Sequence, residues 1–237
     1  PDPVLIVMTV NSELIDTVPE MRDSLVRLGR FGVEMARLKL GRLDLDDATQ
    51  LVQKLLPIDK AMATKIAERS AGNALHLTQI VRYLQESEKI LFQNGSWQLQ
   101  PGVDIEKEVP EELVELMRYR SERVASRYPD SQALSQILER CALLGQRFDY
   151  RLLRGFLKKL GDAHLDAHAD SALEYLVREG IFHEAGHSGE DVLEFNHAVM
   201  RDVLVNDMEG RRTQRELHKM AAEAKIKFYA SRVNEHA

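Results

Sequence analysis

Three groups of residues have the types and spacing to do chemistry. His183-Glu184-Ala185-Gly186-His187 carries the letters of H-E-x-x-H, which on a helix sets two imidazoles on one face to hold zinc, with the glutamate as base. Gly186, Gly189 and the flanking strand pattern make a turn here, and no third ligand is evident, so a surface turn is expected. His164 and His168 stand four apart, the spacing of neighbours on a helix face. Their segment reads as crossing a helix start near Asp166, so no metal site is expected. Arg147, Arg151, Arg154, Lys158 and Lys159 form a basic run around one expected helix. Such a helix could enter a DNA groove or meet a protein partner. A solvated charged face is the plainer reading in a chain of formal net charge −6.

What is absent narrows the chemistry. No G-x-x-x-x-G-K-[ST] occurs in the 237 residues, so no P-loop cradles a triphosphate or holds magnesium. No G-x-S-x-G and no Cys/His nucleophile arrangement is present either. The single cysteine, Cys141, lies in an apolar run and reads as a small core hydrophobe, which excludes an internal disulfide framework and fits a reducing cytoplasm. A complete active site is therefore not expected. The hydrophobic fraction of 44% and charged fraction of 30% are those of a soluble globular chain long enough for two or three small domains. No apolar stretch is long enough to span a membrane, and no signal peptide is visible.

The elements that would position these residues are mostly helices. Val4–Val10 is continuously apolar, the pattern of a strand buried on both faces in a parallel sheet. Val33–Leu40 reads as a second such strand, with a helix at Glu20–Leu28 between them. Two strands do not make a stable open sheet, so further strands are expected upstream. Asp44 and Asp46 are cap residues for a helix that Pro57 ends, and Asp59 opens another that ends at Ala71-Gly72-Asn73. A third helix carries Leu75, Leu77, Ile80, Val81 and Leu84 as its apolar stripe. Asn94-Gly95 between two short apolar runs predicts a hairpin over Ile90–Leu99. Gln100–Val109 reads as a linker. Helices follow at Glu111–Arg127, Ser131–Leu144, Asp149–Leu160 and Asp166–Glu179. Two short strands near Ile181–Glu184 and Val192–Asn196 come next, then helices at His197–Asn206 and Glu209–Tyr229. Helices followed by a β-ribbon and another helix suggest a winged-helix domain.

Taken in order, three segments resemble signalling NTPases of the STAND class, a branch of the AAA+ ATPases. Val4–Glu13 is similar to the strand that ends in that family's sensor motif, with Thr9 present and Asn11 where an arginine is usual. Ala71-Gly72-Asn73-Ala74-Leu75 is similar to the Gly-Asn-Pro-Leu motif that opens a lid helix and packs near the nucleotide base, with Ala74 in place of proline. Leu193–Leu204 resembles the winged-helix signature in which a histidine, here His197, reaches the β-phosphate of bound ADP. Arg211–His218 is similar to the basic helix leading into C-terminal repeats.

The resemblance implies a mainly α chain. It would comprise the end of an NTPase α/β core (1–43, two parallel strands), a helical lid with a small hairpin (44–109), a winged-helix domain (110–208) and a helix leading to further repeats (209–237). It implies a cytoplasmic regulatory module that senses ADP or ATP, with Mg in the parent protein. Thr9, Asn11, Gly72, Asn73, Ala74 and His197 would line the nucleotide site. The implied partners are a P-loop core upstream and helical repeats downstream, with protein partners or self-assembly beyond them. Two alternatives stand beside it: a DNA-binding winged-helix regulator using the Arg147–Lys159 run, and a degenerate interaction scaffold, which Asn11 and Ala74 favour.

Overall fold

The computed structural model describes residues 5, 7, 9, 10, 19–30, 36, 38–93, 95–186, 191–208 and 211–235. The chain divides into two compact units, Pro1–Gly41 and Arg42–Ala237. In the first, α1 (Pro19–Arg30) is the one described element. The second is mainly helical, with two small antiparallel sheets.

The second unit starts with three helices set by their caps: α2 (Leu45–Leu55), α3 (Lys60–Arg69) and α4 (Ala74–Glu86). Asp44, Asp59 and Asn73 each accept a hydrogen bond from a first-turn backbone N–H, at Asp47, Met62 and His76. Each such cap contributes about 1 kcal/mol by satisfying a donor that the helix cannot. The hairpin β1 (Ile90–Gln93) and β2 (Ser96–Leu99) pairs Ile90 with Leu99 and Phe92 with Trp97. It is tied back to the helices where the Trp97 N–H donates to the Pro57 carbonyl. Val52, Leu56, Ile66, Leu77, Ile80 and Leu84 fill the core beneath.

Downstream come α5 (Ile105–Glu108), α6 (Leu113–Ser126), α7 (Ser131–Leu144), β3 (Arg147–Asp149), α8 (Tyr150–Leu160) and α9 (Ala163–Arg178). They are followed by β4 (Phe182–Glu184), β5 (Val192–Phe195), α10 (Ala198–Asn206) and α11 (Arg211–Glu235). The three strands form one antiparallel sheet in the order β3-β5-β4. Phe148, Phe182 and Phe195, one from each strand, stack edge to face over a second core with Leu134, Ile137, Leu153, Phe156 and Leu176. Helix α6 is the wall between the cores: Leu116 belongs to the first and Met117 to the second.

Four expectations change. The parallel strands at Val4–Val10 and Val33–Leu40 are not found among the described residues. Leu5 and Leu38 lie outside any strand at 88% and 90% exposure, and the other residues of the two runs are either equally unpaired or outside the described set. An apolar run becomes a buried strand only with neighbours to take its hydrogen bonds, and neither sheet includes these. The Gln100–Val109 linker holds helix α5, because Ile105 and Val109 are buried in the first core and Glu108 pairs with Lys89. Strand β3 was not expected, since three residues between Gly145 and a helix give too short a pattern to read. Helix α9 begins at Ala163 instead of Asp166, because Asp162 accepts from the N–H groups of His164 and Leu165. That places His164 and His168 in one helix.

Candidate functional site

The turn that opens α4 is built from backbone strain and close packing. Ala71 has φ +48° and Gly72 φ +75°, the left-handed region that glycine adopts freely and alanine does not. The chain before α2 lies against this turn. The Leu43 N–H donates to the Gly72 carbonyl at 2.9 Å, and Arg42 donates to the Ala71 carbonyl at 2.8 Å. A Cβ on Gly72 would come 2.3 Å from the Leu43 carbonyl oxygen, so only glycine fits. Beside the turn is a cavity of about 200 Å³ lined by Leu43, Asp44, Ala48, Ala67, Ala71 and Gly72, among others. Asn73 caps α4, and Ala74, its first residue, is exposed. His76 follows, 8% exposed with its Nε2 unpartnered. Burial, and then the Arg69 charge, hold its pKa below the usual imidazole value.

Helix α4 has two working faces. The apolar stripe Leu77, Ile80, Val81 and Leu84 enters the first core. A second row, Leu75, Gln79, Arg82 and Glu86, faces the downstream elements. Leu75 packs against the second core. Gln79 Oε1 accepts from Arg120 of α6 at 3.3 Å, and the Glu86 carbonyl accepts from Arg123 at 3.3 Å. Arg120 is 3% exposed, and its other donors reach the Glu179 and Gly180 carbonyls at 3.0 and 3.1 Å. Those carbonyls end α9, where the helix dipole favours a cation. Arg120 thus pins α4, α6 and α9 together, with no carboxylate partner among the described residues.

His197 stands at this junction. It occupies the N-cap position of α10, with φ −138° and ψ 121°, but its side chain makes no capping hydrogen bond. The imidazole is half-buried, and burial, then the Arg82 charge, hold its pKa below the usual value. Arg82 lies about 12 Å along the α4 axis from Ala74. Helix α10 is itself anchored, by a two-pronged Arg118–Asp207 pair at 2.6 and 2.8 Å and by Arg201 donating to the Ala142 carbonyl. The structure therefore relates His197 to the far part of the helix that Gly72, Asn73 and Ala74 open. Thr9 lies in the first unit, exposed and outside any helix or strand; Asn11 lies outside the described residues.

The basic run is largely engaged inside the molecule. Arg147 of β3 donates to the Ala185 carbonyl, Arg151 pairs with Asp149, Arg154 pairs with Asp166 and Asp170, and Lys159 pairs with Glu223. Lys158 is exposed on α8. His183 and Glu184 lie on β4, where His183 Nδ1 meets Asn196 Oδ1 at 2.7 Å; His187 is outside the described residues.

Sequence reasoning missed Gln79, Arg82, Arg120 and Arg123. The available signal was the row Leu75, Gln79, Arg82, Glu86 at helical spacing, of which only Leu75 was read, as part of the apolar stripe. Comparison with family models, curated proteins and solved structures gives no match to this chain. Among the described residues, no helix is long and apolar enough to cross a membrane.

Proposed function

We propose that residues 42–208 form a helical lid and a winged-helix domain that together act as a nucleotide-sensing switch module, working with a P-loop core not contained in this sequence. The observation that carries this reading is the uncapped His197 imidazole at the α10 N-terminus, within electrostatic reach of Arg82 on the helix opened by the Gly72–Ala74 turn. A helix N-terminus, an arginine and an imidazole together suit the terminal phosphate of a diphosphate. The small cavity beside Gly72 suits contact with the edge of a base. The order α7-β3-α8-α9-β4-β5, with β5 between β3 and β4, supports a winged-helix arrangement. Exchange of ADP for ATP would then bias the contact between α4 and the downstream domain. Moving that domain away breaks the Arg120–Gln79 and Arg123–Glu86 hydrogen bonds, so the two states differ in defined contacts.

The test is thermal melting, with and without excess ADP, of the intact protein that includes the P-loop core, in the wild type and in His197→Ala. A ligand that binds the folded state raises the melting temperature. The reading expects a rise that His197→Ala abolishes; an equal response in both chains sinks it.

The DNA-binding reading has less support. In a helix-turn-helix pair the second helix enters the groove. Here that helix is α9, whose exposed positions include Asp170 and Glu174, and phosphate repels such a face. Salt-sensitive binding of a short duplex would revive it.

A further inference from the structure

We propose that Asp130, His164 and His168 form a binding site for a divalent transition-metal ion, Zn²⁺ first, on the outer face of the α7–α9 pair. One ligand atom from each residue lies within 4.8 Å of the other two. The ligands come from two elements: Asp130 is the N-cap of α7, and the histidines stand one turn apart in α9. Their rings are 4.4 Å apart between centroids.

Two of the three ligands, Asp130 and His168, are already oriented by a second hydrogen bond, as metal ligands are. Asp130 Oδ1 accepts from the Ala133 N–H at 2.9 Å, which fixes the carboxylate and leaves Oδ2 facing His164. His168 Nδ1 meets the His164 carbonyl at 3.0 Å. A carbonyl only accepts, so Nδ1 carries the proton and the Nε2 lone pair is free to coordinate. Asp130 Oδ2 and His164 Nε2 are 2.8 Å apart; there a proton holds the place of the metal. Zn–N and Zn–O bonds of about 2.1 Å at tetrahedral angles put ligand atoms about 3.4 Å apart. The existing spacing therefore needs shifts of about an ångström, within the freedom of one exposed and two half-exposed side chains. Three protein ligands leave a fourth position for water. The donor set of two imidazoles and a carboxylate suits zinc, with nickel and copper as competitors. Cys141 is buried in the second core and is not a ligand.

The experiment titrates the untagged chain with zinc chloride by calorimetry, beside Asp130→Asn and His168→Gln. Asparagine caps a helix as well as aspartate, so Asp130→Asn keeps the fold and removes only the anionic ligand. The expected result is one saturable zinc ion per chain, at least tenfold weaker in each variant. Cobalt should give a visible d–d band without thiolate charge transfer. Absence of one-to-one binding in the wild type, or equal affinity in wild type and Asp130→Asn, overturns the proposal. If His168→Gln folds poorly, the Asp130→Asn comparison alone decides.

Discussion

Replacing Arg120 with methionine should uncouple the two hydrophobic cores. Its guanidinium donates to Gln79 Oε1, the Glu179 carbonyl and the Gly180 carbonyl, and hydrogen bonds from a charged donor contribute about 1.5–3 kcal/mol each. Two offsets reduce the sum. Burying the charge is itself costly, and the Gly180 carbonyl keeps a second donor, Asn196 Nδ2 at 2.7 Å. The net loss is about 3 kcal/mol, a large part of the roughly 5–15 kcal/mol that holds a domain folded. With a urea slope of about 3 kcal/mol per molar, the midpoint falls by about 1 M. The chain has one tryptophan, Trp97, packed against the first core. Its fluorescence follows that core alone, whereas far-ultraviolet dichroism follows every helix. In the wild type the two signals should unfold together; in Arg120→Met they should separate. Arg120→Lys should recover less than half the loss, because an ammonium cannot reach three acceptors as the planar fork does. Coincident transitions in Arg120→Met, with a midpoint shift under about 0.3 M, would refute the reasoning.

The strained turn predicts opposite signs at adjacent positions. Gly72→Ala should cost about 2–3 kcal/mol, from left-handed strain and the approach to the Leu43 carbonyl, whereas Ala71→Gly should gain about 0.5 kcal/mol by relieving φ +48°; urea melts check both. His76 and His197 predict acid sensitivity. Their folded pKa values lie below 6.5, so below that pH the unfolded chain binds more protons than the native one. Stability is then full above about pH 6.5 and falls as the pH drops toward the folded values. His76→Gln should flatten that slope in melts taken between pH 5 and 8.

Much of the architecture was legible because its signals are local. Asp44 and Asp59 announce helix starts by a chemistry that needs no tertiary context, and Asn94-Gly95 announces the hairpin. The start of α9 was misread because two aspartates compete: Asp162 and Asp166 are both plausible caps, and only the former accepts from first-turn N–H groups. The parallel strands are not found among the described residues, and an apolar run such as Val4–Val10 specifies burial but not a partner. His197 was legible as a residue at a strand–helix corner, and the structure adds that its side chain does not cap. Arg120 was illegible: a lone arginine among Arg118, Arg123 and Arg127 looks solvated. Its burial depends on where the end of α9, far along the chain, comes to rest.

The most direct test of the switch reading is a proton NMR titration of the His197 imidazole, assigned with His197→Gln, with and without millimolar ADP. A diphosphate at the α10 N-terminus places negative charge beside the ring and opposes the effect of Arg82. The account predicts that ADP raises the His197 pKa, that inorganic phosphate does so less, and that Arg82→Gln weakens the response. A His197 titration unchanged by ADP would contradict the claim that this imidazole reads a bound nucleotide.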